Sequence, residues 1–126
     1  MNRRIAALLT LAEEEAGAAE QLIEAFPRQA AYQLQQSVEK VARAILAYEN
    51  IAFGTSHNLG QMAAALTVDH PWRDALMEFD RLSPAATRNR YPAPGGRIPL
   101  PPSVDELRKD LMEIRILIGR AHDLTA

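Results

Sequence analysis

The stretch AAYQLQQSVEKVARAILAYEN, Ala30 to Asn50, decides the fold. Its apolar residues Ala31, Leu34, Val38, Val41, Ala42, Ile45 and Leu46 recur in steps of three and four, which marks one face of an α-helix. Gln33, Gln36, Glu39, Arg43 and Glu49 fall on the other side and read as its solvent face. No Gly or Pro interrupts the pattern, and Ala, Leu, Gln, Glu and Lys favour the helical state. Pro27 lies just before it, where the missing N–H costs little. A helix of about 22 residues with a single apolar stripe does not stand alone in water; it buries that stripe against partner helices.

The partners are legible on both sides. Upstream, Asn2 to Phe26 reads as a first helix, with Ile5, Leu9, Ala12, Ala16, Ala19, Ile23 and Phe26 as its stripe and Glu13, Glu14, Glu15, Glu20 and Glu24 on a solvated outer face. Downstream, Asn50 and Gly54 end the central helix, and Thr55, Ser56 or Asn58 can cap a short helix over residues 56–66. Asp69-His70-Pro71 opens a further helix, Pro71 to Leu82, with Trp72, Leu76 and Phe79 facing inward. Ser103, with Glu106 three residues later, starts the last helix, whose stripe is Val104, Leu107, Leu111, Ile114, Leu117, Ile118 and Ala121. The expected architecture is all-α: one domain over residues 1–126, an antiparallel up-and-down bundle of four to five helices.

One segment departs from this pattern. Ser83 to Ser103 holds six of the eight Pro and the Gly95-Gly96 pair, so it cannot be a long helix. It carries Arg88, Arg90 and Arg97, with Arg81 just ahead, and no acidic residue lies between Asp80 and Asp105. A long cationic connector in a chain of net charge −2 is either a mobile surface link or a binding loop.

Composition narrows the chemistry. The chain has 126 residues, enough for one core, and no Cys, which excludes disulfides, thiolate nucleophiles and thiolate zinc sites. Three isolated His do not make a metal site, and no cofactor is expected. No apolar run approaches the ~20 residues of a membrane span. The start, MNRRIAALLTLAEEE, lacks a small-residue cleavage site before its glutamates and reads as helix rather than signal peptide. A cytoplasmic protein is expected.

The order of three motifs carries a resemblance. The central helix holds Gln35, Ser37, Glu39, Lys40, Ala44, Ile45 and Leu46; a Ser56-His57-Asn58-Leu59 turn follows, and then Asn89-Arg90-Tyr91-Pro92. This set resembles the HEPN family (higher eukaryote and prokaryote nucleotide-binding), with its Q-x-A-x-E-K-A-x-K-A-L-L helix, T-H-D-L turn and A-R-Y-P motif. The resemblance runs from about residue 5 to 122, and Arg43 stands where the family has a second Lys. It implies a helical bundle similar to the C-terminal domain of kanamycin nucleotidyltransferase, usually a homodimer, often paired with a small nucleotidyltransferase as toxin and antitoxin. Some members are metal-independent ribonucleases using R-x(4–6)-H; others are nucleotide-binding modules.

Metal-free RNA cleavage needs a proton carrier near neutral pH, which His supplies, and a cation on the phosphate, which Arg supplies. Arg115 and His122 satisfy R-x6-H and share one side of the last helix. One such hit is also what chance allows in so Arg-rich a chain, and the alternative is a surface Arg and a His at the negative end of a helix dipole. For a nucleotide site the candidates are Arg90 on a phosphate, Tyr91 stacked on a base, and His57 and Lys40 adding polar contacts. Against each stands a structural role: loop anchor, turn-former, solvated helix residue. Three readings follow: a nucleotide- or nucleic-acid-binding module, a ribonuclease toxin, and a ligand-free dimerisation domain.

Overall fold

The computed structural model describes residues 2–126. Three long helices form the frame: α1 (Arg3–Leu22), α2 (Pro27–Tyr48) and α6 (Val104–Thr125). Between α2 and α6 lie three short helices, α3 (Leu59–Ala64), α4 (Arg73–Glu78) and α5 (Ser83–Ala86), with 3-10 turns at Phe79–Leu82 and Arg88–Arg90. There is no strand among the described residues. The fold is the expected all-α antiparallel bundle. Its third leg is broken into short pieces because Gly, Pro and turn residues punctuate residues 50–103.

Each long helix starts where its chemistry allows. The Asn2 side chain accepts from the N–H groups of Arg4 and Ile5, and the Ser103 hydroxyl accepts from Glu106 N–H. Pro27 occupies the first position of α2. Asn50 ends the α2 corner with φ +58°, a left-handed turn that Asn tolerates.

α1 and α2 form the most extensive contact of the bundle, and both carry small buried residues: Ala12, Ala16 and Ala19 on α1, Ala30, Ala31 and Ala42 on α2. The Ser37 hydroxyl lies in that seam and donates to the Ala12 carbonyl at 2.7 Å. The core continues through Leu34, Val38, Ile45, Leu59, Met62, Trp72, Leu76, Leu107 and Ile114. The structure confirms Trp72 as a core aromatic, 3% exposed, with Arg120 stacked over its ring at 4.9 Å.

Three local expectations need correction. Phe26 does not continue the α1 stripe; α1 ends at Leu22 and Phe26 is 60% exposed at the corner. The helix expected over Pro71 to Leu82 is regular only from Arg73 to Glu78 and tightens to a 3-10 turn at Phe79–Leu82; the His70 ring accepts from the Trp72 N–H just ahead of it. The Pro-rich segment forms no long helix, as expected; it begins with one helical turn, α5, since Pro84 sits in the first turn where proline is tolerated. Glu39, expected on the solvent face of α2, is 4% exposed, and Gln35 and Ser37 are fully buried. The return segment after α2 covers that face, so polar residues there serve as internal anchors. Gly60, in the first turn of α3, receives Asp80 at 2.9 Å on its N–H; a Cβ there would meet the Asp80 carboxylate at 2.8 Å.

Candidate functional site

A cleft of about 190 Å³ opens where the N-terminal turn of α2 meets the Pro-rich segment. α2 supplies Arg28, Ala31 and Tyr32; the 3-10 turns supply Arg81, Leu82 and Arg90; Leu100, Pro101 and Pro102 form the opposite wall. Three guanidinium groups and no carboxylate line it. Helical spacing puts Arg28 and Tyr32, four residues apart, on one side of α2. Arg90 reaches back so that its guanidinium lies 4.6 Å from the centre of the Tyr32 ring.

The three arginines differ in what holds them. Arg81 makes a two-pronged pair with Asp110 at 2.8 and 2.5 Å. The hydrogen-bonded carboxylate raises the Arg81 pKa above its usual value and largely cancels its charge. Asp110 is itself 2% exposed, so this pair is built into the bundle. Arg28 donates only to the Pro99 carbonyl, and Arg90 rests on an aromatic face. Neither has a carboxylate within ion-pair distance among the described residues. Two cations on neutral partners facing a concave surface can accept an anion without first breaking a salt bridge.

A second polar cluster lies further along α2. Glu39 Oε1 is 2.8 Å from His57 Nδ1 and accepts from Gln35; its Oε2 accepts from Arg43 at 3.2 Å. Arg43 also donates to the Gly54 and Ser56 carbonyls, and Gln35 to the His57 carbonyl. Burial pushes the Glu39 carboxyl up, but the donors His57, Gln35 and Arg43 outweigh it and the net pKa is lowered. The cluster staples residues 54–57 onto α2 and presents Asn58, whose side chain caps α3 by accepting from Gln61 N–H.

A third cluster runs along the seam of α1 and α6. His122 Nε2 lies 2.7 Å from Glu13, Arg115 donates to Glu20 at 2.7 Å, and Arg108 pairs with Glu24. Three of the five glutamates expected on a solvated face, Glu13, Glu20 and Glu24, therefore form a ladder with α6. The Arg115 hydrogen bond lowers the Glu20 pKa, and Glu20 in turn raises that of Arg115.

These placements sort the expected site residues. Arg90 lines the cleft; Tyr91 is 68% exposed beside it and is not part of its wall. His57 belongs to the Glu39 cluster, and Lys40 pairs with Glu15 of α1 at 2.9 Å. Arg115 and His122 share one shallow groove on the α1–α6 seam, each already bonded to a glutamate. Arg28 and Tyr32 were not legible as site residues. Arg28 reads as part of a helix break and Tyr32 as an off-stripe helix residue; the one available signal was that both stand four apart near a helix start, opposite a cationic loop.

Among the described residues no group of His, Asp and Glu could hold a metal ion, and no helix is long and apolar enough to cross a membrane. The HEPN domain profile matches residues 5–120. The chain belongs to the HEPN family. The HEPN match takes in Lys40, His57, Arg90, Tyr91 and Arg115 but stops before His122. No curated protein and no solved structure matches the chain.

Proposed function

We propose that this HEPN domain is a binding module for a nucleotide or a nucleic-acid strand, and that the ligand's phosphate enters the cleft between Arg28 and Arg90. The observation that carries this reading is the pair of guanidinium groups, held by a carbonyl and an aromatic ring, in a concave site without acidic residues. A phosphate offers each a charge-assisted, two-pronged hydrogen bond stronger than the one it replaces. Tyr32 then offers its face to a base, the role that Tyr91 was expected to fill. Titration with AMP, GMP, UMP and CMP, followed by amide shifts, tests it. Shifts gathered at residues 28–32 and 88–91, lost in Arg90→Ala, are expected; no shift there with any of the four rejects it.

The module reading extends to partners. We place it as a homodimer acting beside a small nucleotidyltransferase in a toxin–antitoxin type of pair. Copurification of the two coexpressed proteins, with sedimentation to count chains, is the measurement.

A second reading keeps the ribonuclease. It is favoured by Arg115 and His122 lining the same groove. Catalysis would require both to leave Glu20 and Glu13, since a guanidinium engaged by a carboxylate is poorly placed to hold a phosphate. Expression of the wild-type chain should then stop growth, and His122→Ala should restore it; equal growth of the two removes this reading.

A further inference from the structure

The wall of the cleft opposite α2 is Leu100-Pro101-Pro102, preceded by Ile98-Pro99. Leu100 is 90% exposed and Ile98 64%, while Pro99, Pro101 and Pro102 are half-buried, so the strap's two aliphatic side chains do not anchor it in the core. Three of its five residues are proline and have no N–H to donate, and among the described residues no backbone–backbone hydrogen bond involves residues 98–102. Among the described residues its one hydrogen bond to the bundle is the Arg28 guanidinium on the Pro99 carbonyl. On one side the strap hangs from the Gly95-Gly96 turn, where φ is +90° and +88°, values that Gly adopts freely. On the other it ends at Ser103, the cap of α6. Proline makes such a segment stiff, so it moves as a unit about its ends.

The cleft is also small. Sites for ordinary ligands run from about 300 to 1,000 Å³, whereas this one measures about 190 Å³. A nucleotide therefore needs the wall to withdraw.

From these observations we infer that the strap is an anion-released latch: a phosphate entering the cleft takes Arg28 from the Pro99 carbonyl, and the freed strap swings out to admit the rest of the ligand. The inference rests on the cleft being the binding site and adds its regulation. The same guanidinium serves both partners, and a doubly charged phosphate outcompetes a neutral carbonyl for it. Binding and opening are then one exchange, and the ligand must carry a terminal phosphate to use it. A nucleoside of the same base cannot release the latch.

Trypsin cleavage after Arg97, read by mass spectrometry on the full chain, reports the strap. AMP at saturation is expected to speed cleavage about tenfold, the scale of one hydrogen bond from a charged donor, while adenosine leaves it unchanged. Arg28→Ala should be cleaved as fast without ligand as the wild type is with it. Arg90→Ala should keep the slow, latched rate in the absence of ligand. If AMP shifts the amides of residues 28–32 but leaves the Arg97 cleavage unaltered, the latch is wrong and the binding reading stands. If AMP binds nowhere near α2, both fall. A wild-type rate already equal to that of Arg28→Ala also overturns the latch, whatever binds.

Discussion

The α1–α6 seam and the cleft at the start of α2 carry the same kinds of side chain in opposite states. On the seam both residues of the ribonuclease motif meet a carboxylate: Arg115 meets Glu20 and His122 meets Glu13, with Arg108 on Glu24 one step along. In the cleft Arg28 and Arg90 have only a carbonyl and a ring. The difference teaches that arginine content says little about anion binding; what counts is the partner an incoming anion must displace. A carboxylate competes with phosphate on equal terms, and a carbonyl or an aromatic face does not.

The comparison can be broken by mutation. The largest expected effect is at Arg81, the one cleft cation with a carboxylate partner. Arg81→Ala leaves Asp110 buried without its cation, and a loss of about 3 kcal/mol is expected, measured by urea unfolding. Arg81→Ala together with Asp110→Asn should recover much of it; if the single variant is as stable as the wild type, the pair is not part of the frame. Next is Arg90→Ala, expected to weaken mononucleotide binding about tenfold, the value of one good charged hydrogen bond, with unfolding unchanged. Arg115→Ala should leave nucleotide affinity at the cleft as it is and change stability less than Arg81→Ala does, because surface pairs contribute little. Equal losses of affinity at Arg90 and Arg115 would erase the distinction between the two regions.

The smallest effect is a pH dependence that sharpens the picture of the Glu39 cluster. The Glu39 pKa is lowered in the folded chain from an ordinary value of 4.5. The unfolded chain therefore binds the proton more readily. The contribution to stability is complete above pH 4.5 and is lost as the pH falls through the lower folded value. Glu39→Gln should flatten this part of the acid limb. An acid limb of unchanged slope in that variant would show that other carboxylates set it.

The frame was legible because an apolar residue at every third or fourth position has one physical solution, and α1, α2 and α6 follow it from end to end. The polar interior was not. Gln35, Ser37 and Glu39 look like solvent-facing residues by type; the path of the return segment buries Gln35 and Glu39, and α1 buries Ser37. Hydrophobic periodicity says where a helix must be covered and does not say what else the chain lays over it. The candidate site was half legible for the same reason. Arg90 announced itself in a cationic loop, whereas Arg28 and Tyr32 became partners of that loop through a fold that brings residue 28 beside residue 99. His57 and Lys40 matched motifs, yet the structure engages them with Glu39 and Glu15.

The close approach of Asp80 to Gly60 has its own corollary for how such chains diverge. The hydrogen atom on that Cα and the carboxylate opposite are two halves of one fit. A descendant that acquires a methyl group at position 60 must shorten or turn aside its neighbour at position 80, so the two positions are expected to change together or not at all.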